Sequence, residues 1–203
     1  MVFDAPRHVA AIMRGFDRPW FVAGGWAIDL FLGKETRAHE DIEVAIFRRD
    51  QDAIWRHFSG WEMEKIVSGG GDSKRQVWRG EWLSPPIHEI HAKRSGGELR
   101  DLEILFDEAW ADTWRFRREL AVSRPVAEIG SRTADGVPFL APDIVLLYKA
   151  KASRPDDEAD FRATFPVLPA DHRRWLMDAI ERVHPGHPWI ASLRSPPTSR
   201  QSS

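Results

Sequence analysis

The feature that most constrains this chain is the pair Gly24-Gly25, set between a short apolar run, Trp20-Phe21-Val22-Ala23, and a segment with helical spacing, Trp26 to Leu32. The run before the glycines is of strand type. After them Trp26, Ala27, Leu30 and Phe31 share one helical face, and Gly33 offers a stop. The glycines therefore stand at a strand-to-helix junction. Such a junction exposes backbone N–H groups, and the missing side chains let a phosphate come close. For two adjacent glycines taken alone, a plain tight turn is the favoured reading.

Lys34 to Glu40 is polar and unpatterned, a loop carrying Lys34, Arg37 and His39. Asp41 to Phe47 then alternates. Ile42, Val44 and Ile46 face one way; Asp41, Glu43, Ala45 and Phe47 face the other. Two acids on one strand face repel each other. A solvent-facing edge strand would tolerate them, and a divalent cation would explain them, since hard oxygen ligands on one rigid element suit Mg²⁺. A third acid lies in Leu99 to Phe106, where Leu102, Ile104 and Phe106 oppose Asp101, Glu103 and Leu105. Glu103 sits among large aliphatic residues, where a carboxylate is costly unless paired, protonated or bound to a cation. Asp101, at the strand's start, is the alternative.

Composition narrows the class. At 203 residues the chain can build one sizeable core, or a domain with a small appendage. With 42% hydrophobic and 30% charged residues it is an ordinary globular sequence. A net charge of −2 gives no global basic field, so a nucleic-acid-coating role is not expected. The absence of cysteine excludes disulfides and cysteine-ligated metal clusters. The opening MVFDAPRHVAAIM carries Asp4 and lacks a secretory pattern, and no apolar run approaches the roughly eighteen residues of a membrane span, so a cytoplasmic enzyme is expected.

Along the rest of the chain, helices are expected over Pro6–Gly15 and Arg49–His57. Strands are expected at Trp61–Val67 and Gln76–Trp82, around a hairpin turn at Gly69-Gly70-Gly71. That triplet has no following Lys-Ser/Thr and is no P-loop. Ile87 to Ala92 alternates; His88 and His91 fall on opposite faces, no HExxH motif is present, and both read as ordinary strand residues. Trp110 to Arg118 is rich in Trp and Arg, and Pro125 and Gly130 mark a turn region. Asp135-Gly136 signals a hairpin. Helices are expected from Pro142 to Arg154, from Asp156 to Thr164, with acids in its first turn, and from Ala170 to Val183. The tail SLRSPPTSRQSS is low in complexity and reads as disordered.

The ordered set carries more weight than any member. GGWAIDLFLGKETRAHEDIEV resembles the aminoglycoside 2''-adenylyltransferase-like family of the polymerase-beta-like nucleotidyltransferase superfamily, and APDIVLLYKAK…DDEADF resembles the helical region of the same proteins. The resemblance spans most of residues 20 to 165. It implies an α+β fold: a mixed β-sheet nucleotidyltransferase core flanked by helices over residues 1–135, a C-terminal helical region over 136–190, and a tail over 191–203. It implies a metal-dependent transfer of a nucleoside monophosphate, from ATP or another NTP with AMP from ATP the first choice, to a hydroxyl of a small acceptor such as an aminoglycoside-like sugar. Asp41, Glu43 and Glu103 would be the catalytic and metal-binding acids for a pair of Mg²⁺ ions, with Glu103 also able to act as base. Gly24, Gly25, Arg37 and Lys149 would bind the nucleotide. The second acid is Glu where many relatives have Asp, which leaves open a degenerate relative that binds nucleotide or a partner without turnover. A protein or tRNA acceptor is a minor alternative, because the basic segments at Arg115–Arg118 and Arg173-Arg174 are short. Asp107, Glu108 and Asp112 would either attract a cationic acceptor or form a solvated acidic face.

Overall fold

The computed structural model describes residues 3–69 and 72–195. The first helix, α1 (Asp4–Ile12), precedes strand β1 (Trp20–Val22), helix α2 (Gly24–Leu32) and strand β2 (Glu43–Phe47). Helix α3 (Gln51–His57) follows, then strands β3 (Glu62–Gly69), β4 (Asp72–Val77), β5 (Glu89–Lys93), β6 (Asp101–Trp110), β7 (Thr113–Phe116), β8 (Glu119–Pro125), β9 (Gly130–Arg132) and β10 (Pro138–Leu140). Helices α4 (Pro142–Lys149), α5 (Pro155–Thr164), α6 (Ala170–Val183) and α7 (Trp189–Arg194) close the chain.

The strands order as β4-β3-β5-β6-β2-β1-β10-β9, with β7 and β8 continuing from the far end of β6. The pairing is mixed: β2 runs parallel to β6 and antiparallel to β1, while β1 runs parallel to β10. The α+β mixed sheet expected from the sequence is what forms. β2 lies inside the sheet, between β6 and β1, so a solvent-facing edge does not explain its acids. Val44, Ala45, Ile46 and Phe47 are all buried, and Ala45, on the same face as Glu43, lines the cleft described below.

Several local readings shift. The strand that was to begin at Asp41 begins at Glu43, with Asp41 in the exposed approach to it. The region after Trp110 is a hairpin, because Trp114 and Phe116 alternate with arginines and bury completely. Its arginines stack on aromatic rings, Arg115 at 4.4 Å from the Trp110 centroid, so the charges cost the strands little. β4 ends at Val77, and Trp78 turns its indole N–H to the Glu81 carbonyl at 2.7 Å. The division drawn at 135/136 falls inside the β9–β10 hairpin, whose turn Gly136 (φ 89°) permits; the sheet continues to Leu140 and the helical region starts at Pro142. Helix α4 stops at Lys149, short of Arg154. Helix α7 occupies the start of the expected tail, which is otherwise residues 196–203 and lies outside the described residues, as do Gly70 and Gly71 of the triplet.

Candidate active site

Helix α2 starts directly from the end of β1. Ala23 is extended and donates its N–H to the Glu43 carbonyl at 2.8 Å, and Gly24 follows at φ 59°, a left-handed conformation that favours glycine. A Cβ on Gly24 would land on the Glu43 carboxylate, and one on Gly25 would strike the side chains of Arg37 and His39. The glycine pair thus makes room first for the protein's own charged side chains.

The loop after α2 is pinned by Asp29, which is fully buried. It accepts hydrogen bonds from Thr36 N–H at 3.1 Å and Thr36 Oγ1 at 2.5 Å, and its other oxygen lies 2.6 Å from His39 Nε2. These contacts give the spaced Asp, Thr and His a structural task. Trp26 adds a further tie by donating its indole N–H to the Asp41 carbonyl at 3.1 Å. Arg37 reaches out of the loop to α5, where its guanidinium meets both oxygens of Asp160 at 3.2 and 3.3 Å.

Across the sheet, register does what sequence spacing cannot. Glu43 of β2 pairs with Glu103 of β6, and Glu103 pairs in turn with His91 of β5. Burial, then the charge of Asp41, raises the Glu43 pKa to about 7. Burial, followed by Asp41, Glu43, Glu89 and Asp101, raises Glu103 to about 8. The charges acting most strongly on Glu103 are those of neighbouring carboxylates, whereas Lys149 and Arg154 act on Glu43 in the opposite direction. Such a row of carboxylates fits a hard divalent ion. Glu89, His91 and Glu103 also bring one ligand atom each within 4.8 Å of one another. His91, read from the sequence as an ordinary strand residue, is nearly buried, 2.9 Å from Glu89 and 3.7 Å from Glu103. The signal was present in Glu89 and His91 two residues apart on one strand face, but its partner lay on another strand. Asp101 is half exposed and sits 3.8 Å from Lys93, so the acid directly opposite Glu43 is Glu103.

A cleft of about 360 Å³ opens beside this row. Gly24, Glu43 and Glu89 line one part, and Arg117, Arg118, Lys149, Lys151 and Arg154 line another. Lys149 thus comes to the same cleft as Gly24 and Glu43, but it is paired at 2.9 Å with both Asp157 and Asp160. Burial pulls its pKa down and the two carboxylates outweigh that, leaving it above the ordinary lysine value. Arg37 does not line the cleft; its charge is spent on Asp160 and Asp156. Gly25 is likewise not among the lining residues. A second recess of about 350 Å³ has Trp26, Glu40, Asp41, Asp101 and Glu103 on its walls. Glu43 therefore lines the first cavity, and Asp41 and Glu103 line the second, which also presents Arg75.

The acidic stretch after β6 takes a different form from either expectation. Asp107 is buried, accepting from Tyr148 Oη at 2.5 Å and from Trp114 Nε1 at 3.1 Å, and Glu108 pairs with Arg48 at 2.6 Å. Neither is a solvated charge available to an acceptor; Asp112 alone of the three is exposed.

Residues 7–67 match the family model described as aminoglycoside-2''-adenylyltransferase. Among proteins of curated function, none matches the sequence. The structure is similar to lincosamide antibiotic adenylyltransferase LnuA in its lincomycin-bound form, with 15% identity and a TM-score of 0.53 over 80% of this chain and 96% of that one. It is similar also to the antibiotic-resistance factor ANT(2'')-Ia in solution, with 16% identity and a TM-score of 0.55 over 88% and 90% of the two chains. The crystal structure of ANT(2'')-Ia in complex with adenylyl-2''-tobramycin gives 16% and 0.52, over 87% and 95%. Residues 7–67 thus carry the aminoglycoside-2''-adenylyltransferase pattern that the sequence reading led us to expect, and the fold is shared with LnuA and ANT(2'')-Ia.

Proposed function

We propose that this protein is a metal-dependent nucleotidyltransferase that moves AMP from ATP to a hydroxyl of a small acceptor. The observation that carries the reading is the in-register pair Glu43 and Glu103, with the charge of Asp41 acting on both, and Glu43 lining a cleft that also presents Arg117, Arg118, Lys149, Lys151 and Arg154. Asp41, Glu43 and Glu103 would hold Mg²⁺, which when bound supplies positive charge to the attacking and leaving oxygens. The remaining work falls to the chain itself. Gly24 opens the head of α2 so that the Glu43 carboxylate and the α-phosphate can share the space before it. Lys149, whose charge acts on Glu43, sits where the phosphates would enter and keeps its own charge through Asp157 and Asp160.

In the transfer the acceptor oxygen forms a bond to the α-phosphorus, and the bond from that phosphorus to the bridging oxygen breaks. Pyrophosphate departs with the electron pair. The acceptor's proton goes to Glu103, the acid that the resemblance offers as base toward the acceptor hydroxyl. The recess lined by Glu40, Asp41, Asp101 and Glu103 supports a cationic, hydroxylated acceptor there. That two similar structures hold lincomycin and an adenylylated tobramycin supports the same class. The longer Glu at position 43 is accommodated by the recess over Gly24, which supports an active site over a degenerate one.

The test is pyrophosphate release by the purified full chain with labelled ATP, Mg²⁺ and a panel of aminoglycosides and related sugars. Turnover that Asp41→Asn abolishes without lowering the melting temperature is expected. Near-wild-type activity in that variant would remove the site assignment, and ATP binding without turnover across the panel, unaltered by Glu43→Asp, would favour a non-catalytic nucleotide binder.

A further inference from the structure

The cleft contains more positive charge than the family resemblance assigns to it, and the charges differ in how they are committed. Arg37 points away to α5, Lys149 is held by two carboxylates at 2.9 Å, and Arg154 is paired with Asp157 at 3.2 Å. Among the described residues, Arg117, Arg118 and Lys151 line the same cleft with no carboxylate in ion-pair contact.

Arg117 and Arg118 form the two-residue tip of the β7–β8 hairpin, between Phe116 and its cross-strand partner Glu119. The tip is held in place. Both guanidinium groups lie 5.3 Å from the Tyr148 ring centroid, Arg118 lies 5.7 Å from that of Phe116, and Arg118 Nη1 donates to the Tyr148 carbonyl at 2.9 Å. Tyr148 is itself fixed through its hydroxyl to buried Asp107. Two arginines held side by side repel each other, and burial together with the Arg117 charge lowers the Arg118 pKa. A multivalent anion would relieve that repulsion and take several donors at once.

We infer that Arg117, Arg118 and Lys151 form the subsite for the β- and γ-phosphates of the nucleotide and for the departing pyrophosphate. This rests on the nucleotidyltransfer reading and deepens it. Lys149 and Arg154 act on Glu43 and belong with the α-phosphate; Arg117 and Arg118 act on His88 and stand together at the hairpin tip. A triphosphate seated between them has its reacting phosphorus toward the acids and its leaving group toward the hairpin tip. The subsite is specific for polyphosphate, so a nucleoside monophosphate gains nothing from it.

Titration calorimetry on the full chain with inorganic tripolyphosphate, and separately with ATP, tests this. Arg117→Gln/Arg118→Gln is expected to weaken tripolyphosphate at least about tenfold, to weaken ATP similarly and to leave AMP binding unchanged. Because both arginines pack on Tyr148, Lys151→Gln is measured beside it: that side chain is exposed, and its loss reads the same subsite without disturbing the aromatic packing. Tripolyphosphate and ATP binding that both variants leave at wild-type strength would overturn the inference while nucleotidyltransfer stands. If the wild-type chain binds neither polyphosphate nor ATP and turns nothing over, both fall together.

Discussion

Gly24→Ala is the substitution that most directly separates the two tasks of the glycine pair. The left-handed backbone at φ 59° costs an L-residue roughly 1–2 kcal/mol. The new Cβ would overlap the Glu43 carboxylate and lie 2.7 Å from its Cδ but 3.5 Å from its Cγ. The conflict is therefore confined to the far end of the side chain, and pushing that end off its rotamer adds about 0.5–1.5 kcal/mol. A destabilisation of roughly 1.5–3.5 kcal/mol should appear in urea unfolding. Turnover should fall further than stability, since a carboxylate displaced by about 1 Å can cost about 10²-fold in rate. The decisive variant is Gly24→Ala combined with Glu43→Asp, where the shorter acid withdraws from the clash. In a double-mutant cycle the pair should cost less than the sum of the single changes, by at least about 0.5 kcal/mol. Strict additivity, or a Gly24→Ala enzyme with wild-type pyrophosphate release, would refute the argument that this glycine exists to admit Glu43.

Other expectations concern the supports around the site. Asp160 is buried and anchors both Arg37 and Lys149, so Asp160→Asn should destabilise the fold by roughly 3–5 kcal/mol in denaturant titration. Mg²⁺ should raise the melting temperature of the wild-type chain by relieving carboxylate repulsion at Glu43 and Glu103, and Glu103→Gln should both raise the metal-free melting temperature and shrink the Mg²⁺ increment. In the first turn of α4, the Asp143 carboxylate, 3.1 Å from His172 Nδ1, raises the His172 pKa against an opposing burial effect. A raised histidine pKa gives stability that is complete below the unfolded value near 6.5 and is lost as pH rises through the folded value. Thermal melts across that window should show the loss in the wild type and a flatter profile in His172→Gln.

The local parts of this molecule were legible because their causes are local. Glycines between an apolar run and a 3.6-residue pattern define a strand-to-helix junction wherever they occur, and α6 runs over the same Ala170–Val183 span that its periodicity marks. The acids at 41, 43 and 103 stood out because carboxylates amid aliphatic strand residues need a reason. The β7–β8 hairpin was harder to see, since the Trp- and Arg-rich composition of Trp110 to Arg118 carries no strand signal until cation–aromatic stacking lets arginines occupy strand positions.

What tertiary structure decided is partnership. Residues 43 and 103 face each other only because β2 and β6 pair in parallel in one register, and a shift of one residue would turn Glu103 to the other face of the sheet. The same pairing of strands brings His91 into the carboxylate row. Helix α5 claims Arg37 and binds Lys149, whereas the hairpin tip delivers Arg117 and Arg118 to the cleft. Sequence determined which side chains carry chemistry, because charge and backbone freedom belong to each residue. Which charges remain available to a substrate is settled by contacts between segments distant in the chain, and only the assembled sheet and helices fix those.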